Sequence, residues 1–257
     1  MISGVDLWWI LLSIVSLTNI SVWIYSLLLL HRRRPQFPPA VYRGRQLILW
    51  LSLGCVSGCA FRSFLPRIDV ERICLVDSWL SSILLGRSVA TIAELFFIAQ
   101  CALLVHEAEK WVGDRLSITI SFLLIPVIVF AEGFSSYATI STHYFGSVVE
   151  ESLWAIAGMM LAASFLSLWP RVIGKNRDFL GIMILFSLGF IFFMVTVDVP
   201  MYWQRWQQDA ASGLEYQTLV QGVRDVSGNC TVSNEWQYWR QEIPWMTLYF
   251  TIAVWLS

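Results

Sequence analysis

Residues 86–105 read GRSVATIAELFFIAQCALLV, and this stretch decides the class of the protein. Twenty residues at 1.5 Å each span about 30 Å as a helix, the thickness of a bilayer's hydrocarbon core. The stretch is apolar except for Arg87, Glu94 and a few small polar groups. Arg87 and Glu94 are seven residues apart, almost two helical turns, so both point the same way. An ionisable group inside a membrane helix costs roughly 2.5–3.5 kcal/mol on insertion scales, so the pair is expected to face a bundle interior rather than lipid.

The rest of the chain has the same character. Of 257 residues, 57% are hydrophobic and 14% charged, against roughly 25% charged in soluble domains. Mean hydropathy is +0.63. Membrane-length apolar blocks are expected at about 6–30, 46–65, 78–105, 116–132, 148–169, 179–199 and 243–257. The reading is an all-α, multi-pass integral membrane protein: one bundle of about seven helices over 1–257. The first block lacks a basic start and is followed by HRRR (31–34), which marks a retained anchor rather than a cleaved signal. The seventh block is short for the hydrocarbon core and ends on AVWLS without a polar cap, so it reads as a clipped or half-buried helix.

Basic residues set the expected orientation. The odd connections carry Arg32, Arg33, Arg34, Arg43, Arg45, Lys110, Arg115, Arg171, Lys175 and Arg177. The even ones carry Arg62, Arg67, Arg72, Arg205, Arg224 and Arg240 over many more residues. The odd loops are therefore expected in the cytoplasm, with the N-terminus outside and the C-terminus inside. Segment 200–242 then lies outside. Its mixture of Trp, Tyr and charges of both signs predicts one or two amphipathic helices on the interface, with a turn at SGN (227–229). NCT (229–231) fits the N-glycosylation pattern. Cys74 and Cys230 share the outer, oxidising side and are the expected disulfide. Cys55, Cys59 and Cys101 fall inside spans as small packing residues.

Polar residues recur within the apolar blocks. Ser52, Cys55, Cys59 and Arg62 share a face of the second helix at spacings of three and four. Glu151 heads a seam of small residues, Ala155, Gly158 and Ala162, which predicts that it points into the bundle. Glu132 and Asp198 are expected at the outer ends of the fourth and sixth helices, with His143 in the loop between. Arg62, Arg87, Glu132, His143, Glu150, Glu151 and Asp198 are thus all expected in the outer half, with Asp69, Glu71 and Asp77 nearby and Glu94 beneath. That pattern predicts a carboxylate-rich cavity open to the extracytoplasmic side.

Three functions fit. In a membrane enzyme acting on a lipid or other amphiphile, Glu94, Glu151, His143 and Asp198 are the candidate catalytic residues. Arg62, Arg87, Glu132 and Glu150 would bind substrate, the arginines holding an anionic headgroup. In a channel or transporter, Arg87 and Glu94 would line the path. A non-catalytic subunit or receptor would use the aromatic residues of 200–242 to dock a protein partner or a second copy.

The exclusions are sharper. Net charge of -1 speaks against nucleic acid. Three histidines, His31, His106 and His143, are spread over both sides, which removes a three-His zinc site. Carboxylates could still hold a divalent cation such as Mg²⁺ or Ca²⁺. Both lysines, Lys110 and Lys175, sit in loops, so no retinal Schiff base can form within a span.

Overall fold

In a computed structural model the described residues are 3–256 except Trp111 and Asn229. The asparagine of the NCT sequence therefore lies outside the described residues. The fold is an all-α membrane bundle. Among the described residues six helices are long and apolar enough to cross a bilayer. They are α1 (Gly4–Arg32), α2 (Pro39–Phe64), α3 (Ile83–Glu109), α4 (Arg115–Ser141), α5 (Tyr144–Leu168) and a run that joins α6 (Lys175–Phe193) to α7 (Val199–Ser212).

The chain divides into two compact units, 1–100 with 224–257, and 101–223. In the first unit α1 and α2 lie antiparallel. The Trp9 indole donates to the Phe64 carbonyl at 3.1 Å and Trp23 to Leu49 at 2.9 Å, pinning the pair at both ends. Ser3 and Asp6 form a reciprocal cap at the start of α1. Along α1 only Val5, Leu12, Ser16 and Asn19 are buried, at spacings of seven, four and three. That single stripe is the helix's protein face; Leu7, Leu11, Ile14 and Leu17 are exposed, as lipid-facing residues are.

Between α2 and α3 the chain forms a small ladder. β1 (Arg67–Ile68) pairs antiparallel with β2 (Ile73–Cys74), which pairs in parallel with β3 (Thr231–Val232). Cys74 and Cys230 are joined by a disulfide, with Cα atoms 5.7 Å apart. Beyond β3, α9 (Trp236–Trp239) and α10 (Ile243–Thr247) lead into a π-helical turn at Leu248–Ile252. Val5, Leu12, Ile68, Ile73, Trp239, Met246 and Phe250 close this unit's core. Segment 243–256 is thus not one of the six long helices. It runs beside α1, with the Trp8 indole on Thr247 Oγ1 (2.9 Å) and the Asn19 amide on the Phe250 carbonyl (3.4 Å).

In the second unit α5 is central, packed on α4 along one side and on α6 along the other. Two helices run past their expected ends. α4 continues nine residues beyond Glu132 to Ser141, because EGFSSYATIS loses hydropathy but keeps a buried face: Ser135, Ala138, Thr139 and Ser141. The sixth helix does not stop at Pro200. A proline cannot supply the amide of an α-turn, and its ring crowds the carbonyl four residues back. Just before it the helix widens to a π-turn over Met194–Asp198, in which the Val199 amide bonds to the Met194 carbonyl. The helix then runs on to Ser212, 38 residues from Lys175, or about 57 Å. The amphipathic part of segment 200–242 is α7 followed by α8 (Leu219–Val226).

Candidate functional site

The second unit holds buried carboxylates on three neighbouring helical runs, Glu132, Glu150 and Asp198. Their placement follows from helix register. Gly146 sits where a Cβ would meet the Phe134 carbonyl at 2.7 Å and Ala138 Cβ at 2.9 Å, so α5 and α4 touch there. One turn along α5 is Glu150, and one turn back along antiparallel α4 is Glu132. Their carboxylate oxygens come within 4.8 Å of each other, and the two residues are 7% and 4% exposed.

The opposite side of α5 meets α6. A Cβ on Gly158 would lie 2.9 Å from Phe190, which fixes that antiparallel register. Counting eight residues outward on each helix brings Asp198 level with Glu150 and Glu151. Asp198 is 3% exposed. The π-turn that precedes Pro200 is the turn that carries it. Ala155, Gly158 and Ala162 are buried, as the small-residue seam predicted. Of the two glutamates, however, Glu150 is the more buried and Glu151 is half-buried. Glu150 shares the α4-facing side with Gly146 and Trp154, whereas Glu151 lies on the α6-facing side with Ala155 and Gly158. Glu132 and Asp198, expected at helix ends, thus lie inside continuous helical runs.

His143 is seven residues, about 10 Å of helix, before Glu150. It caps α5, accepting the Phe145 amide on Nδ1 at 3.2 Å. Its ring stacks on Tyr216 with centroids 3.8 Å apart. Burial lowers its pKa from the ordinary histidine value, and Asp209 opposes this. Among the described residues the buried Tyr216 hydroxyl has no hydrogen-bond partner, and its pKa is raised by burial and by the Asp209 charge. His143, Tyr216 and Asp209 therefore form their own group, which sequence reading did not assemble. Tyr216 and Asp209 lie in a stretch read only as amphipathic surface.

In the first unit Arg62 and Arg67 converge on Asp69. Arg62 Nη1 donates to Asp69 at 2.8 Å, and Arg67 Nε is 3.7 Å from its other oxygen. Arg67 is fully buried, with Nη1 donating to the Leu80 and Ser82 carbonyls. Its guanidinium lies flat on α3: a Cβ at Gly86 would fall 1.6 Å from Cζ. Burial and the neighbouring Arg62 charge bring its pKa down to about 9. Burial pushes the Asp69 carboxyl up, but Arg62 and Arg67 together outweigh that and hold it below the ordinary value. On α3, Arg87 reaches Thr91 Oγ1 and Glu94 Oε1, both at 3.3 Å. Arg62 and Arg87 thus each have a carboxylate partner of their own.

The chain matches none of the protein families, curated proteins or solved structures with which it was compared.

Proposed function

We propose that this protein is a membrane-embedded enzyme that performs acid–base chemistry on a lipid or other amphiphile from the extracytoplasmic side. The observation that supports this reading is the buried Glu132–Glu150 pair, two carboxylates within 4.8 Å on adjacent helices of an apolar bundle. Two charged carboxylates that close repel strongly in a low dielectric, and the repulsion is relieved by a shared proton or a bound cation. A pair holding one proton offers a general acid and a general base side by side. Asp198, at the same level on the α6-facing side of α5, adds a third buried carboxylate. A half-buried guanidinium in the same unit, Arg205, lies over the Tyr144 and Tyr202 rings and can meet an anionic headgroup. In this reading the N-terminus is outside, and segment 243–256 enters the membrane as part of a seventh helix.

One observation favours transport of protons or a cation instead. The run carrying Asp198 widens to a π-turn before Pro200, and α4 carries Pro126 inside it. Local departures from α-helical geometry beside carboxylates suit an ion path, as broken helices do in transporters. One preparation separates the two. Purified protein is reconstituted in liposomes of mixed lipids with a trapped pH-sensitive dye. Enzyme function predicts altered lipids by mass spectrometry, lost in Glu150→Gln and Glu132→Gln. Unchanged lipids, with a proton or cation flux lost in the same variants, would replace the enzyme by a transporter.

A further inference from the structure

The turn that joins α1 to α2 carries Arg32, Arg33, Arg34, Arg43 and Arg45, all exposed. From Leu7 to Ile68 the chain holds no Asp or Glu. Among the described residues none of the five arginines has a carboxylate partner. Elsewhere in the same unit Arg62, Arg67, Arg72 and Arg87 each meet an Asp or Glu. Local structure gathers two of the five. A 3₁₀ turn at Arg34–Gln36 leads into α2 at Pro39, and Pro35, Pro38 and Pro39 stiffen the connection by fixing φ. The Arg34 guanidinium lies over the Tyr42 ring, 5.5 Å from its centroid, and that of Arg45 over Phe37 at 4.2 Å. Tyr42 and Arg45 are three residues apart on α2, so they are neighbours on one face. Arg34 and Arg45 are thereby held on the same side of the turn.

Their depth follows from helix length. From Leu7 to Leu30 α1 is uncharged, and at 1.5 Å per residue that stretch is about 36 Å, enough to cross a core of about 30 Å. Arg32, Arg33 and Arg34 follow at once. On α2, Arg43 and Arg45 stand within a turn of Leu47, where the apolar run resumes. The five arginines therefore lie at the level of lipid phosphates, whichever leaflet they face. Setting a topology needs only a number of positive charges. It does not need guanidinium groups braced on rings across a proline-stiffened turn, with no acid to neutralise them. A guanidinium fork matches phosphate oxygens in two-point contact, and basic clusters beside a membrane helix attract anionic lipid. We propose that the α1–α2 turn is a binding site for the headgroup of an anionic phospholipid, with Arg34 and Arg45 holding the phosphate and Arg32, Arg33 and Arg43 around them. A choline headgroup brings its own cation, which this cluster repels; a glycerol headgroup does not. The site stands whether the protein is an enzyme or a transporter.

The test places the full chain in nanodiscs of equal parts phosphatidylglycerol and phosphatidylcholine with identical acyl chains. The protein is then released into detergent, and its retained lipids are counted by native mass spectrometry. Phosphatidylglycerol should be retained more than tenfold over phosphatidylcholine, and high salt should lower the ratio. Arg34→Gln and Arg45→Gln should each lower it about fivefold, whereas Lys175→Gln, at an exposed residue outside the cluster, should leave it unchanged. Soluble glycerol phosphate should not displace the lipid. A phosphatidylglycerol analogue with a photoactivatable headgroup should cross-link to the peptide holding residues 31–46, a result that does not depend on how the variants fold. Equal retention of the two lipids, an equal loss in Lys175→Gln, displacement by glycerol phosphate or cross-links confined to other peptides would overturn the proposal. So would capture of an RNA oligonucleotide at the turn in place of lipid.

Discussion

At the scale of single residues, Asp69 has the heaviest duty in the first unit. It is the counter-charge for Arg62 and contacts Arg67, with side-chain exposures of 12%, 7% and 0%. Removing one partner from a buried ionic group leaves the others uncompensated, which typically costs about 3–5 kcal/mol. Asp69→Asn should therefore lower the thermal midpoint of the purified protein clearly, whereas Asp77→Asn, at an exposed residue of the same connection, should leave it unchanged. The pH dependence has a definite sign. The folded Asp69 pKa is depressed, so its contribution is complete above the ordinary carboxylate value and disappears as pH falls through the folded value. The midpoint difference between the parent and Asp69→Asn should be flat near neutrality and shrink in acid. Arg67 acts oppositely at the alkaline end. Its pKa of about 9 lies below the ordinary 12.5, so its burial penalty is constant below about 9 and eases above it. Gly86→Ala tests the arrangement from the other side. With Cβ 1.6 Å from Arg67 Cζ, the guanidinium must leave its bed on α3. A drop of about 2–4 kcal/mol is expected, and Gly86→Ala should cost less when combined with Arg67→Met than it does in the parent. None of this was legible in the sequence. Arg67 read as one charge in an outer loop; its burial depends on the missing side chain of Gly86, nineteen residues further on.

At the scale of elements, hydropathy found the six long helices because bilayer thickness dictates a run of about twenty apolar residues. It misplaced the end of α4 because 132–141 keeps a buried face without hydropathy, and the end of the sixth run because α7, which buries no residue, continues it as an amphipathic helix. Glu132 and Asp198 looked like terminal charges for that reason, and their places inside the runs make a site conceivable. The π-turn is the element most open to test. If Pro200 causes it, Pro200→Ala restores an amide donor and removes the ring clash. The α-helical register then becomes available from Met194 onward, rotating everything beyond Asp198 by about 100° per residue of slip. Tyr144 and Tyr202 have ring centroids 6.2 Å apart. Cysteines introduced at both positions should cross-link readily in the parent and poorly with Pro200→Ala. Equal cross-linking would mean that packing around Asp198, rather than the proline, holds the wide turn.

At the scale of the whole molecule, the disulfide and the proposed orientation stand or fall together. Cys74–Cys230 spans 156 residues. The chain-entropy relation gives a stabilisation of about 5 kcal/mol for a loop of that length. That figure is a ceiling here, because helices left in the membrane never sample a free coil. Cys74→Ser with Cys230→Ser should lower the thermal midpoint by less than the relation implies, and the loss should be felt first in the β1–β2–β3 ladder, where Cys74 pairs with Val232. Such a bond persists in an oxidising compartment, which supports the proposed orientation, with the loop after α2 facing away from a reducing cytoplasm. The count of basic residues reaches the same orientation from different chemistry, the cost of moving arginine-rich loops across a membrane. One labelling experiment on intact cells joins the two arguments. Trp79 is 75% exposed in the loop between α2 and α3, and Gln36 is exposed in the loop between α1 and α2. With the Cys74–Cys230 disulfide left in place, an impermeant maleimide should label Trp79→Cys at once and Gln36→Cys only after permeabilisation. The reverse pattern would place Cys74 in the cytoplasm, where the disulfide could not last. It would also turn the α4–α6 carboxylates toward the cytoplasm, and the proposed substrate would then have to come from the inner leaflet.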